Sequence, residues 1–156
     1  MFNKTMKTIL YDLEEIIALY PPGFDALPDN DFAFKSTPAK WSKKEVLGHL
    51  IDSAQNNLRR FIAGQYEDVP RIVYDQNFWV IANSYQQYSK SDLINLWRLV
   101  NQQIVHVLAN MPVENYDREC MTSAPHSLEW LASDYVKHLK HHINQIIPGS
   151  FDVQYP

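Results

Sequence analysis

Apolar residues recur at intervals of three or four in four long segments of this chain, with polar residues between them. This spacing places the apolar side chains on one face of an α-helix. The segments cover roughly residues 3–20, 43–63, 89–111 and 127–147. No strand pattern of alternating apolar and polar residues accompanies them. The sequence therefore predicts an all-α four-helix bundle, formed by a single domain over residues 1–156.

Local signals mark the ends of these helices. Pro21-Pro22-Gly23 is expected to end the first helix, because proline cannot donate the helical hydrogen bond. Ser42 and Glu45 form a capping box that starts the second helix. The connection over residues 21–41 is long for a compact domain, and connections of that length are often functional. A shorter helix is predicted over residues 75–85.

Composition and charge exclude several classes of protein. The chain has 156 residues, 46% of them hydrophobic, a formal net charge of −4 and a sequence pI of about 5.8. Nucleic acids and anionic membranes normally require clustered Lys and Arg, so neither is expected as a partner. The single cysteine, Cys120, excludes an internal disulfide framework and a cysteine-rich zinc module. Without a signal-peptide pattern or an apolar run of about 18 residues, a cytoplasmic location is expected.

The strongest chemical signal is a histidine-rich stretch over residues 135–146. It contains His138, His141 and His142, three of the six histidines. His138 and His142 are four residues apart and would share a helix face, but so would His138 and His141. A solvated basic helix end is the alternative explanation. Because two ligands do not complete a zinc site, the metal hypothesis depends on a third ligand from elsewhere.

The remaining histidines are the candidates for that ligand. His106 in the third helix is expected to be a surface or partly buried side chain, and His126 to serve a turn or a cap. His49 lies with Ser53 and Asn56 at the border of the second helix's apolar stripe. A polar strip in that place suits a cavity between helices, where its groups can meet both a metal and a substrate. His49 is therefore the favoured third ligand.

These motifs, in this order, resemble the DinB superfamily and more narrowly its YfiT-like branch. The resemblance covers about residues 40–147 and rests on Trp41-Ser42-Lys43-Lys44-Glu45-Val46-Leu47-Gly48-His49-Leu50-Ile51-Asp52-Ser53, Arg60-Phe61, Tyr74-Asp75-Gln76-Asn77-Phe78-Trp79 and Tyr135-Val136-Lys137-His138-Leu139-Lys140-His141-His142-Ile143-Asn144-Gln145-Ile146. It implies up-down-down-up connectivity and one divalent metal ion held by three histidines. The implied ligands are His49, His138 and His142, whereas His141 does not match the family's usual ligand.

The resemblance also implies a class of reaction. Family members are metal-dependent hydrolases or thiol S-transferases that add bacillithiol, mycothiol or glutathione to electrophiles, and a related branch isomerises maleylpyruvate with a thiol cofactor. A zinc or nickel ion, a small-molecule substrate and a homodimer are the corresponding expectations, with a low-molecular-weight thiol as co-substrate of a transferase. Imidazole ligands alone do not identify the metal. A non-catalytic, stress-associated protein that binds a metal or a ligand is the alternative.

Four further residues are candidates beside the ligands. Asp52, one turn from His49, is a candidate catalytic group that orients the imidazole or accepts a proton, although such a carboxylate is often only solvated. Gln145 and Tyr135 each lie three residues from a ligand histidine on the same face, which makes both candidates for substrate binding. Asp75 matches a patch of the YfiT-like branch near the expected site entrance. The chain lacks an HExxH pattern, so the usual metalloprotease arrangement is absent.

Overall fold

The computed structural model describes residues 5–156, and most of them are helical. The helices are α1 (Met6–Asp25), α2 (Asp29–Ala33), α3 (Lys43–Ala63), α4 (Gln76–Asn83), α5 (Lys90–Ala109) and α6 (Leu128–Ile146), and the strands are β1 (Glu119–Met121) and β2 (Pro125–Ser127). The four long helices of the sequence prediction are present as α1, α3, α5 and α6, and α4 is the predicted shorter one. Residues 3 and 4, predicted to begin the first helix, lie outside the described residues.

The four long helices form the predicted bundle, in which α1 and α3 each pack against both α5 and α6. Gly23 near the end of α1 lies against Ile147, which follows α6, so these two helices run parallel. Gly64 after α3 lies against Leu128 at the start of α6, so this pair is antiparallel. Phe24 contacts Trp97 in the first half of α5, which makes α1 and α5 antiparallel. The expected all-α, up-down-down-up bundle is confirmed.

Hydroxyl side chains cap the long helices and explain where they begin. Thr5, Ser42, Ser89 and Ser127 each accept a hydrogen bond from the backbone N–H three residues further along. The capping box of Ser42 and Glu45 is complete, as predicted. Each cap satisfies an N–H that the helix itself leaves unpaired, a contribution of about 1 kcal/mol. The starting points of the bundle helices are therefore encoded locally.

The predicted end of the first helix is wrong, because α1 continues through Pro21 and Pro22 to Asp25. Tertiary packing opposes the proline penalty. Phe24 is fully buried and meets the ring of Trp97 edge-on at 5.4 Å between centroids. Burying a phenylalanine side chain contributes roughly 1.5–3 kcal/mol, which offsets part of the cost of about 3 kcal/mol for each proline within a helix. The last turn of α1 is thus stabilised by contacts with a distant helix.

A short hairpin precedes α6, in contrast to the expectation of a strand-free chain. β1 and β2 pair antiparallel with Cys120 opposite His126, and Met121 also bonds to the backbone of residues 70–72. Strands of three residues are too short to produce a detectable alternation. His126, expected to serve a turn or a cap, lies in β2 and stacks on Trp130 at 3.7 Å between ring centroids.

The long connection between the first two bundle helices contains structure of its own. It covers residues 26–42 and includes α2, whose Phe32 is buried in the core. Lys35 in this segment pairs with Glu45 of α3 at 2.9 Å, and Lys43 of α3 pairs with Asp31 at 2.7 Å. These contacts hold the connection against the start of α3, next to the turn that carries His49.

Among residues 5–156, no helix combines the length and the apolar character needed to cross a membrane. A single domain over residues 1–156 and a cytoplasmic location stay predictions.

Candidate metal centre

Three imidazole rings from two helices meet between α3 and α6. His49 lies in the first half of α3, and His138 and His142 lie one turn apart on α6. Because the two helices are antiparallel, the histidine pair of α6 faces the single histidine of α3. One ring nitrogen of each residue lies within 4.8 Å of the others, and the Nε2 atoms of His49 and His138 are 3.1 Å apart. The structure thus brings the three predicted ligands together.

The ring nitrogens on the outer side of the cluster differ in their partners. His142 Nδ1 and Gln145 Oε1 are 2.8 Å apart, and because the amide oxygen can only accept, His142 Nδ1 carries the proton and its Nε2 keeps a free lone pair. His138 Nδ1 lies 3.4 Å from Ser53 Oγ. His49 Nδ1 is buried without a hydrogen-bond partner among the described residues. Trp41 covers the His49 ring at 4.9 Å between centroids.

Burial keeps the three imidazoles neutral. Loss of solvation, followed by the charge of His142, lowers the pKa of His49 to about 3. The same two causes, with smaller contributions from His49, His141 and Arg60, lower the pKa of His138 to about 2. Desolvation also lowers the pKa of His142, against a hydrogen bond to Gln145 that raises it. Neutral imidazole is the form that binds metals, so no proton has to be removed at pH 7.

The donor set fits a divalent transition-metal ion. Nitrogen ligands of tetrahedral zinc, at 2.0–2.1 Å from the ion, lie about 3.3 Å from one another. The distance of 3.1 Å between His49 Nε2 and His138 Nε2 is close to that value. Two lone pairs at this separation repel unless a proton or a cation lies between them. Three imidazoles suit zinc, nickel, copper or iron, so the geometry does not discriminate among these metals.

A cavity of about 420 Å³ adjoins the histidine cluster. Its walls come from α3, α6, the start of α4 with the loop before it, and the C-terminal residues. The lining residues are Ser53, Asn57, Arg60, Tyr74, Gln76, Asp134, Tyr135, His138, His141, His142, Tyr155 and Pro156. This volume lies in the usual range of small-molecule sites. Charged, amide and phenol groups dominate the wall, which favours a polar ligand.

Asp52 is fully buried, and its hydrogen bonds connect α3 to the elements that follow it. Its Oδ1 accepts hydrogen bonds from the Tyr85 hydroxyl and from Asn83 Nδ2, whereas Oδ2 has no partner in the described part of the chain. Desolvation raises the pKa of Asp52 to about 6, against the lowering effect of the Tyr85 hydrogen bond. The Tyr85 ring reaches this position because Gly48 has no side chain; a Cβ there would lie 2.1 Å from the ring.

The other predicted site residues are at different distances from the cavity. Tyr135 lines it but is buried, and its hydroxyl donates to Asn101 Oδ1. Gln145 is exposed and contacts the cluster through His142. Asp75 is exposed and caps α4 by accepting the N–H of Phe78. His141 lines the cavity beside His142, but does not belong to the group of three converging nitrogens.

Several cavity residues had no predicted role, although Ser53 belongs to the polar strip that was predicted beside His49. Ser53, Asn57 and Arg60 follow His49 at intervals of four, four and three, a helical spacing that places all of them on one face of α3. Asp134 precedes His138 by four, so the same rule identifies it on α6. Tyr155 lies outside every helix, and no sequence periodicity indicates its position at the site.

Comparisons with known proteins agree with this geometry. A sequence profile of the DinB superfamily matches residues 12–146. No curated protein matches the chain in sequence. YfiT from Bacillus subtilis, a probable metal-dependent hydrolase with an unusual four-helix bundle topology, is similar in structure, with a TM-score of 0.83 and 22% identity over 94% of this chain and 86% of YfiT.

A second similar structure is the mycothiol-dependent maleylpyruvate isomerase. It has a TM-score of 0.70 and 13% identity, over 90% of this chain and 60% of the isomerase. At these identities both similarities establish the fold. The long bundle helices and their connectivity are therefore shared with two proteins that have different activities.

Proposed function

This chain belongs to the DinB superfamily, and from that premise we propose that it is a metal-dependent enzyme acting on a small molecule. The proposed ligands of one zinc or nickel ion are His49, His138 and His142. The observation that carries the proposal is the convergence of three neutral imidazoles beside a cavity of about 420 Å³. A structural zinc site is closed by four protein ligands, whereas this cluster offers three within residues 5–156. Coordination positions left open toward a cavity are what a catalytic site needs.

The reaction we favour is transfer of a low-molecular-weight thiol to an electrophile. A bound divalent cation supplies a Lewis acid that lowers the pKa of a thiol or a water molecule beside it. In the transfer, the thiol loses its proton to solvent, its sulfur forms a bond to carbon, and the leaving group departs with the electron pair. This reaction needs no general base from the protein. The dependence of the similar isomerase on mycothiol supports a thiol as co-substrate.

Hydrolysis of an ester or an amide is the second candidate, with Asp52 as the group proposed to accept a proton. Its pKa of about 6 lies near neutral pH, although its carboxyl group is fully buried and does not line the cavity. Its Oδ1 is occupied by Tyr85 and Asn83, so proton transfer would have to use Oδ2. The description of YfiT as a probable metal-dependent hydrolase supports this candidate as well.

The remaining predicted residues have supporting roles in the proposal. Gln145 orients His142 by accepting the proton of Nδ1, which directs Nε2 into the cluster. Tyr135 forms part of the cavity wall, where its ring limits the space for a substrate. Asp75 fixes the start of α4, next to the cavity residues Tyr74 and Gln76. Homodimerisation stays a prediction.

Metal content is the first test. Untagged protein, purified without added metal and then reconstituted, is analysed by elemental mass spectrometry. We expect about one zinc or nickel ion per chain, lost in both His49→Ala and His142→Ala. His106→Ala, which removes an exposed histidine of α5, is the matched control and should bind metal normally. Full metal binding by His49→Ala and His142→Ala would refute the ligand assignment.

The reaction class is tested on the metal-loaded protein. Glutathione, bacillithiol and mycothiol are each offered with 1-chloro-2,4-dinitrobenzene, and p-nitrophenyl acetate reports hydrolysis. Conjugation that requires the metal and is lost in His142→Ala supports thiol transfer. Metal-dependent ester cleavage without conjugation, reduced in Asp52→Asn, supports hydrolysis. Bound metal with neither activity favours the alternative of a non-catalytic, stress-associated binding protein.

A further inference from the structure

Arg60 is a cation in the cavity wall without a carboxylate within ion-pair distance among residues 5–156. Its Nε and Nη2 both donate to the Ile72 carbonyl oxygen, at 3.2 and 2.9 Å, and its Nη1 donates to Asn57 Oδ1 at 3.3 Å. The Tyr74 ring lies 6.0 Å from the guanidinium carbon. These contacts fix the guanidinium plane. They use three of its five N–H groups, leaving one on each Nη.

A partly buried guanidinium group without a carboxylate partner, such as that of Arg60 among the described residues, is unusual in proteins. Arg60 is partly buried, and desolvation is the main cause that lowers its pKa. Buried charges in proteins are normally paired, because a cation removed from water loses its hydration energy. Two free N–H groups in a planar fork match the two oxygens of a carboxylate. The cavity therefore presents a fixed site for an anionic group.

Arg60 lies further along α3 than the histidine cluster. It follows His49 by eleven residues on α3, which corresponds to about 16 Å along the helix axis. Side chains on a helix lean toward its N-terminus, and the bond to Asn57 shows this direction for Arg60. The guanidinium is thus less than about 16 Å from the cluster. A single small molecule can contact both the guanidinium and the cluster.

Asp134, an acidic residue in the same cavity wall, limits the negative charge of an anion that can bind beside Arg60. Asp134 lines the same cavity, and its Oδ2 accepts a hydrogen bond from the Tyr155 hydroxyl at 3.2 Å. Arg60 and Asp134 carry opposite charges in the cavity wall, and a divalent cation at the histidine cluster would add positive charge. Repulsion from Asp134 opposes a second negative charge near Arg60. A monoanionic carboxylate therefore fits better than a dianionic phosphate monoester.

We propose that Arg60 binds the carboxylate of the substrate, so that the ligand of this cavity is a small carboxylic acid whose reacting group lies at the histidine cluster. The position of the reacting group rests on the proposed metal-dependent function. The carboxylate site rests on Arg60 and its surroundings alone. The two proposals can therefore fail independently.

The first experiment measures binding of paired probes to the zinc-loaded full chain by calorimetry. The probes are 6-mercaptohexanoate and 8-mercaptooctanoate, each compared with the mercapto alcohol of the same length. A hydrogen-bonded charged pair is worth about 1.5–3 kcal/mol, so we expect the acids to bind about tenfold or more tightly than the alcohols. Arg60→Gln should remove this preference, and Arg60→Lys should keep part of it. Arg59→Gln, which removes the adjacent exposed arginine, is the matched control.

The ratio of acid to alcohol affinity is the readout, because it cancels any structural effect of losing the Arg60 bonds to Ile72. Equal affinity of acids and alcohols for the wild type would overturn the proposal, as would a preference that survives Arg60→Gln. Failure of every acid in the series to bind at millimolar concentration would overturn it too. Stronger competition by inorganic phosphate than by acetate would refute the choice of a monoanion.

The second experiment separates this proposal from the metal site. Binding of 4-phenylbutyrate and 4-phenylbutanol to metal-free protein is followed by NMR shifts. A preference for the acid that depends on Arg60 supports the carboxylate site, even if the chain binds no metal. Stoichiometric zinc binding without any acid preference refutes the carboxylate site and leaves the proposed metal centre intact.

Discussion

Replacing Asp52 by asparagine tests whether this buried carboxyl group has a raised pKa in the folded protein. The substitution keeps the shape of the side chain and an oxygen that can accept from Tyr85 and Asn83. It removes the negative charge. Folded Asp52 has a pKa of about 6, against an ordinary value of 3.8. Between these values the folded state binds more protons than the unfolded state, so the free energy of unfolding falls as the pH rises.

The magnitude follows from the shift of about two pKa units, at 1.36 kcal/mol for each unit. Ionisation of Asp52 costs the folded state about 1.5 kcal/mol at pH 5 and about 3 kcal/mol at pH 8. Asparagine carries no such cost. Asp52→Asn should therefore gain about 1.5 kcal/mol in stability relative to wild type between pH 5 and pH 8. Any difference in stability between the asparagine and the protonated aspartate that does not depend on pH cancels, because only the change between pH 5 and pH 8 is compared.

The assay is urea unfolding of metal-free protein, in the presence of a chelator, at several pH values from 5 to 8. Wild type and variant both lose stability below about pH 6.5, where the histidines of the unfolded chain gain protons while His49 and His138 of the folded chain stay neutral. This loss is common to both proteins and cancels in their difference, and pH below 5 is avoided because the loss grows there. Asp68→Asn, at an exposed loop position, is the control and should show the same difference from wild type at every pH. A stability difference for Asp52→Asn that is independent of pH, or that favours wild type more strongly at pH 8, would refute the reasoning.

Three further outcomes follow from the structure. Gly48→Ala should lower the free energy of unfolding by about 1–3 kcal/mol, because the new methyl group would collide with the Tyr85 ring, and urea denaturation measures this loss. Gln145→Leu should weaken zinc affinity about tenfold or more, because His142 Nδ1 loses its hydrogen-bond acceptor. Gln145→Glu retains an acceptor and should lose less affinity, and competition with a fluorescent chelator measures both. Zinc affinity of the protein should fall less between pH 7.5 and pH 5.5 than that of a peptide of residues 135–146, because burial lowers the histidine pKa values only in the folded protein. An equal loss of affinity in protein and peptide would contradict this explanation.

Much of the helical framework could be predicted because its signals are local. The caps at Ser42, Ser89 and Ser127 lie where the apolar spacing begins, and each helix starts there. The end of α1 could not be predicted, because Phe24 is stabilised by Trp97, more than seventy residues away in sequence. The hairpin before α6 could not be predicted either, because its three-residue strands are too short to show an alternation of apolar and polar residues.

In the candidate site, too, local spacing predicted some features, whereas others depend on tertiary contacts. Helical spacing placed His138 on one face with either His141 or His142, and the resemblance to the DinB superfamily favoured His142. His49 was favoured by its polar neighbours on the second helix and by the same resemblance. Ser53 was predicted to border a cavity, whereas Asn57 and Arg60, on the same face of α3, had no predicted role there. The burial of Asp52 could not be predicted from the sequence, because it depends on the packing of Tyr85 against Gly48.

The sequence by itself determined the helix-forming segments, their caps and the set of side chains able to bind a metal, since these properties depend on residues within a few turns of one another. Only the tertiary structure decided which helices are neighbours and how deeply their polar groups are buried. The antiparallel contact of α3 with α6 brings His49 to His138 and His142, and burial then keeps the rings neutral. Tyr155 reaches the cavity from outside the bundle helices. Proximity and desolvation arise from the packed chain as a whole, which is why no local pattern could supply them.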